Sequence, residues 1–328
     1  MKQVVFYGLV CLLCGCRPRA YKSDEGKVFG TYFHVTYDSE QDYGTAIRAE
    51  MERVNQSLSM FNPRSVISKL NRNESEETDS LFLLMFGKAK EVFLHTGGAF
   101  DITVAPLVNA WGFGFKQRQL PDSTRVDSML RFVGMEKLRL ESGRLLKAMP
   151  EVMMDASALA KGLGVDVVAD FFDRKGVTNY MVEIGGEVRA KGLSLKQRAW
   201  RIGIDKPVDD ATGGQREIAL VVNLEKGALA TSGNYRNFYV IDGKKYAHTI
   251  NPRTGFPVQR DILSASVYAS SCMEADAYAT AFMVLGLKAS QEVLQKLSGV
   301  EACFIYENEK KEREIWMSDG FKKLVEKK

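Results

Sequence analysis

The sequence predicts a mixed α+β fold, with a largely antiparallel sheet and packed helices, rather than a doubly wound parallel sheet. Stretches of helical spacing are interleaved with short β-like runs, and several of those runs are joined by hairpin-length connections. At 328 residues the chain is long enough for a large core in one broad domain or two interlocked lobes, and its 45% hydrophobic content can fill it.

The elements follow in order. Val28 to Tyr37 alternates as a strand and carries Gly30-Thr31 and His34, the first of three histidines. The polar residues 17–27 before it read as a tether. Residues 45–58 and 80–95 have helical spacing. In the second, Leu81, Leu84, Met85, Ala89, Val92 and Phe93 form an apolar face, and Gly97-Gly98 ends it. Between the two helices, Glu74 to Asp79 reads as a solvated acidic loop. A helix over 158–174 begins near Asp155 or Ser157 and stops at Gly176. Short strands are expected at Tyr180–Ile184, Trp200–Ile204, Ile218–Asn223, Asn237–Ile241 and Leu263–Ala269. Asp242-Gly243 is a hairpin signal, and Asp209 to Gln215 is a loop by composition. Ser271 to Gly286 is a helix, with Ser271 and Glu274 in capping-box spacing. No internal repeat or low-complexity segment interrupts this pattern.

Charge argues against a nucleic-acid partner. The 45 basic and 41 acidic residues give a net +4 without a concentrated basic stripe, and the C-terminal lysines read as a solvated tail. The N-terminus reads as a targeting segment. Lys2 precedes the apolar run Val4 to Leu13, which is short for a transmembrane helix. That run ends in Leu13-Cys14-Gly15-Cys16, which resembles the lipobox of bacterial lipoproteins. Cleavage before Cys16 would remove residues 1–15, and acylation of Cys16 would anchor the mature chain to a membrane, extracytoplasmic and facing the periplasm. A secretory signal cut elsewhere, or an uncleaved anchor, is the alternative. Beyond Cys16 only Cys272 and Cys303 remain, so no disulfide framework is expected.

Four constellations could carry chemistry. Asp276 and Thr280 stand four residues apart on the capped helix, so carboxylate and hydroxyl share a face. Such oxygens suit a hard cation, although one charge on an exposed helical face has the same spacing. Asp155-Ala-Ser-Ala-Leu-Ala-Lys161-Gly162 is an N-cap by default, and its small residues would also let a phosphate approach the helix start. Gly185-Gly186-Glu187 permits close backbone approach to a ligand or simply makes a tight turn. Tyr246 to Gly255 gathers His248, Asn251, Arg253 and Thr254 in one loop, a setting for either a structural or a catalytic histidine.

Taken in order, these segments resemble the ApbE family of flavin transferases, the FAD:protein FMN transferases. The resemblance runs from about Gly30 to Gly286. It is carried by Phe61-Asn-Pro-Arg-Ser65 through Asn71, Gly98-Ala-Phe-Asp101 through Pro106 with Trp111-Gly-Phe, and Asp155 to Gly162. Ile184-Gly-Gly-Glu187, Ala230-Thr-Ser-Gly233, His248 to Gly255 and Met273-Glu-Ala-Asp276 to Thr280 complete it. The departures are Glu187 and Asn251, where the family often has Asp.

The resemblance implies a T-fold-like architecture that holds FAD in a cleft with Mg²⁺, or Mn²⁺ or Ca²⁺ in its place. It implies Asp276, Thr280 and the backbone carbonyl of Ala158 as metal ligands, and His248 as the residue assisting proton transfer. Met60, Ala99, Phe100, Asp101, Asp155, Lys161 and Ile250 match positions that contact flavin or nucleotide. Phe100, Trp111 and Phe113 could flank the flavin rings, core packing being the default for at least two of them. The activity implied is transfer of FMN from FAD to a Thr or Ser hydroxyl of an acceptor flavoprotein, with release of AMP. The same residues would serve an Mg²⁺-dependent FAD pyrophosphatase. A lipoprotein that binds flavin without chemistry would need neither the metal ligands nor His248.

Overall fold

The computed structural model describes residues 20–114, 121–207, 217–234, 238–241 and 244–326. The chain opens with the hairpin of β1 (Tyr21–Val28) and β2 (Thr31–Asp38), followed by α1 (Gly44–Leu58), α2 (Val66–Asn71) and α3 (Ser80–His95). Then come α4 (Ala105–Ala110), α5 (Ser123–Leu130), the small hairpin β3 (Leu138–Glu141) and β4 (Arg144–Lys147), and α6 (Ser157–Arg174). The hairpin β5 (Tyr180–Ile184) and β6 (Glu187–Lys191) follows, then β7 (Trp200–Asp205), β8 (Ile218–Leu224) and β9 (Lys226–Gly233). After β10 (Phe238–Ile241), β11 (Lys244–Ala247) and β12 (Ile262–Ala269) the chain forms α7 (Cys272–Leu285) and α8 (Leu287–Leu294). It closes with β13 (Glu301–Glu307), β14 (Arg313–Met317) and α9 (Asp319–Leu324).

Eight strands make one sheet in the order β1-β2-β5-β6-β9-β12-β13-β14, with every neighbouring pair antiparallel. Spatial order therefore follows chain order, and the remaining elements are insertions between neighbours. That is the mixed, largely antiparallel architecture the patterning predicts. Alternation sets which face is buried: Phe33, Val35 and Tyr37 of β2 and Tyr180, Val182 and Ile184 of β5 are buried, while the residues between them are not. α6 and α7 cover that face and pack against each other, and α1 and α3 pack onto this pair. Almost the whole of α7 is buried, including Tyr278 and Phe282, so any polar side chain it carries needs a partner inside the protein.

The tether expected over residues 17–27 is corrected. Tyr21–Val28 is a strand, paired residue for residue with β2 from Tyr21↔Asp38 to Val28↔Thr31. Phe29 and Gly30 make the turn with φ of 51° and 76°, so the second strand starts at Thr31 rather than Val28. β1 is polar because it is an edge strand; its pairing, the Tyr21 hydroxyl bond to the Leu193 carbonyl (2.7 Å) and the Arg48–Asp24 pair (2.5 Å) hold it. The helices expected at 45–58, 80–95, 158–174 and 271–286 form with ends shifted by a residue or so, and the five expected strands are present. The strands flanking Asp242-Gly243 do pair, from Phe238↔Ala247 to Ile241↔Lys244. Asp242-Gly243 itself, the 209–215 loop, the signal segment and Cys16 lie outside the described residues. Among the described residues no helix is long and apolar enough to cross a membrane.

Candidate active site

The site is built where α6 crosses α7. A Cβ on Gly162 would lie 2.5 Å from the Cys272 carbonyl oxygen and 2.7 Å from Met273 Cα, so only glycine lets the two backbones meet. One turn further along α6, Asp166 accepts the first amides of α7, Cys272 N at 2.9 Å and Met273 N at 2.8 Å. Burial raises the Asp166 carboxyl above its ordinary range, and Arg189 of β6 at 2.9 Å opposes that rise. The start of α7 is also capped by Ser271, whose Oγ accepts from Glu274 N at 3.3 Å. The Glu274 carboxylate pairs with Lys88 at 3.1 Å.

This crossing sets Asp276 against α6. Gly162 N donates to Asp276 Oδ2 at 3.1 Å, and Lys161 Nζ lies 3.5 Å from the same oxygen. Lys161 Nζ is also 3.1 Å from Glu187 Oε1, so one ammonium sits between two carboxylates. Asp276 is 2% exposed and Glu187 4%, whereas the Lys161 side chain keeps 30% of its surface. Burial raises both carboxyls and Lys161 pulls them back; Asp276 pushes Glu187 higher still. For Lys161 burial opposes the charge, but the two carboxylates outweigh it and its pKa stands above the ordinary lysine value. Glu187 Oε2 is buried with no hydrogen-bond partner. Thr280, one turn after Asp276, has its hydroxyl 3.2 Å from Ser232 Oγ of β9.

These groups line one cleft of about 520 Å³, within the range of small-molecule sites. Every residue that the resemblance implies as a metal, flavin, nucleotide or proton-transfer position lines it: Met60, Ala99, Phe100, Asp101, Asp155, Ala158, Lys161, His248, Ile250, Asp276 and Thr280. Their parts differ. Asp101 uses both carboxylate oxygens inside the protein, Oδ1 accepting from Thr103 N and Oγ1 at 2.8 and 2.6 Å and Oδ2 from Met135 N at 3.1 Å. It shapes the cleft wall. Asp155 Oδ1 accepts from Ser157 N at 2.8 Å and leads into α6, whose N-cap is Ala156 with no side-chain cap. Ser157 and Ala158 of that first turn face the cleft.

Of the three aromatics, Phe100 and Trp111 are core residues, Trp111 donating from Nε1 to the Gly255 carbonyl at 2.7 Å. Phe113 lines the cleft, edge-on to the His248 ring at 6.4 Å. The loop after His248 is structural. Arg253 donates to the Gly97 carbonyl, Asn251 Oδ1 accepts from Arg253 N at 2.9 Å, and Gly255 has φ of 75° with Val126 too close for a Cβ. His248 and Ile250 are the residues this loop gives to the cleft, together with Thr249 and Pro252. Two members of the site were not assigned from sequence. Glu187 stood out only as the residue after a glycine pair and as a longer acid where Asp is common, and Asp166 gave no signal among ordinary helix residues.

The chain is similar to known proteins along most of its length. A protein of Vibrio cholerae named FAD:protein FMN transferase is 38% identical over 287 residues, covering 84% of this chain and 85% of the relative. An Escherichia coli K12 protein of the same name is 31% identical over 315 residues, covering 92% and 88%. The solved structure of the flavin transferase ApbE from Vibrio cholerae matches with a TM-score of 0.85 and 34% identity, over 94% of this chain and all of that one. With the ApbE family model matching residues 29–304 as well, the chain belongs to the ApbE family.

Proposed function

We propose that this protein is an FAD:protein FMN transferase that moves FMN from FAD to a Thr or Ser hydroxyl of an acceptor protein, with AMP leaving and a divalent cation required. The observation that carries this reading is the convergence, in one cleft, of the buried Asp276 carboxylate, Thr280, Ala158 at the start of α6, and His248. The names of its relatives support the coarser part of this reading, transfer of FMN from FAD to a protein.

The donor set fits a hard cation. One carboxylate with a hydroxyl and a carbonyl leaves positions for phosphate oxygens, as Mg²⁺ prefers. Both protein bonds to Asp276 end on Oδ2, which leaves Oδ1 to face a cation. Bound there with FAD, the cation would neutralise charge on the pyrophosphate. The first turn of α6 presents a positive dipole end to the phosphates, and Lys161 adds a charge at the cleft surface. The acceptor hydroxyl oxygen bonds to the phosphorus of the FMN half as the phosphoanhydride bond to AMP breaks. His248 takes the hydroxyl proton, and no enzyme-linked intermediate is needed. The rest of the chain positions FAD and acceptor in line.

The anchor belongs to the same proposal. Acylated Cys16 would hold the enzyme on the extracytoplasmic side of a membrane, facing the periplasm, where its acceptor would be met.

The test is incubation with FAD, Mg²⁺ and a peptide of the pattern Asp-x-x-(Ser/Ala)-Gly-Ala-(Thr/Ser). The expected outcome is a peptide heavier by FMN and an equal amount of AMP. Equal FMN and AMP with the peptide unmodified would replace transfer by hydrolysis, and intact FAD would leave only flavin binding.

A further inference from the structure

We propose that Glu187 is a positioning residue that holds Lys161 away from Asp276 when the cation is bound. This rests on the cation reading of Asp276 given above. A divalent cation on Asp276 and an ammonium 3.5 Å from the same carboxylate repel each other, so Lys161 has to yield before the site can load. The alternative seat is already built. Glu187 Oε1 is the nearer of the two carboxylates, at 3.1 Å, and Glu187 Oε2 is buried with no partner. A buried carboxylate oxygen without a donor is costly, and a shift of Lys161 toward Glu187 would satisfy it.

The backbone makes this seat rigid. Gly185 and Gly186, with φ of 64° and 102°, turn the chain from β5 into β6, and Glu187 pairs with Ile184 as the first residue of β6. A Cβ on Gly185 would lie 3.5 Å from Glu187 Oε2, so the turn packs directly against the carboxylate. Asp276 is fixed just as firmly by Gly162 N. Lys161, on its long flexible stem, is the member free to move between them.

The experiment measures Mn²⁺ alone, by loss of the free-ion electron paramagnetic resonance signal, for wild type, Glu187→Gln, Lys161→Met and the double variant. Circular dichroism on each sample checks the fold, and Glu187→Asp, which keeps the charge on a shorter arm, stands in if Glu187→Gln does not fold. Glu187→Gln should weaken Mn²⁺ binding by roughly tenfold, and Glu187→Asp by less. In the Lys161→Met background the loss on Glu187→Gln should vanish, because no ammonium is left to hold. A loss that persists without Lys161 would make Glu187 a direct ligand and overturn the proposal. Unchanged affinity in Glu187→Gln would overturn it as well, leaving Glu187 a turn residue. The cation reading is tested separately: Asp276→Ala must abolish binding that the wild type has, and if it does not, both readings fall.

Discussion

Asp276 and Thr280 share one face of α7 because a helix puts residues four apart one above the other, and the Ser271 cap fixes where that helix starts. If they share one cation, their chemistry predicts unequal losses. Asp276→Ala removes the only charged ligand and should abolish transfer or demand far more Mg²⁺. Thr280→Ala removes a neutral one, so extra Mg²⁺ should restore part of the rate. Transfer rate against Mg²⁺ concentration for both variants checks this, and a wild-type curve from Asp276→Ala would remove the carboxylate from the site. His248 makes a second residue-scale prediction. As the proton acceptor, its replacement by Ala should slow transfer by roughly 10²-fold or more while FAD affinity changes little. Parallel falls in rate and affinity would make it a phosphate contact instead. The Lys161–Glu187 pair was not legible, for a physical reason. The two residues come from a helix and a strand with no shared periodicity, and only the packing of α6 on the β5–β6 hairpin brings them together. Asp101 shows the opposite limit: its position in the cleft wall was foreseen, but its two oxygens turn inward to Thr103 and Met135.

Helices were readable because their own sequences carry the 3.6-residue stripe and the stops, as α3 does with its apolar face and Gly97-Gly98 beyond its end. Strands were readable where one face is buried, as in β5. Strand β1 was not, since an edge strand draws its order from a partner and can be polar throughout. The contact that matters most at this scale is the one between α6 and α7. It needs a glycine at 162, and the run Lys161-Gly162 hinted only at ligand approach. Its larger role is helix packing. Gly162→Ala should therefore push the helices apart, costing about 1–3 kcal/mol as an overpacked core site. It should also disturb the Gly162 amide bond to Asp276 and so weaken Mn²⁺ binding. Thermal unfolding and Mn²⁺ titration on the same sample check both effects. A variant with wild-type melting temperature would mean that the backbones separate at no cost, against the 2.5 Å separation between the added Cβ and the Cys272 carbonyl oxygen.

For the molecule as a whole, the strand at Tyr21 changes how an anchored enzyme would sit. With lipid on Cys16, only Arg17 to Ala20 separate the acylated residue from the sheet, where a tether ending at residue 27 would have given more than twice that length. Five peptide steps from Cys16 to Tyr21 reach roughly 17 Å at full extension. The β1 edge of the sheet is then held near the membrane surface. Two truncations separate anchoring from folding. A chain beginning at Ala20 lacks Cys16 but keeps β1 whole, so it should be soluble, melt like the full domain and retain transfer. A chain beginning at Phe29 loses the β1–β2 ladder, the Tyr21 bond to Leu193 and the Asp24–Arg48 pair, and it opens the edge of β2, with Tyr32 already exposed. That chain should melt several degrees lower and associate with itself. Melting temperature and sedimentation of the two chains at equal concentration decide the matter. Equal behaviour would return residues 21–28 to the status of a tether, and fatty-acid labelling of the full chain against Cys16→Ala would report on the anchor alone, with equal labelling ruling Cys16 out as the lipid site.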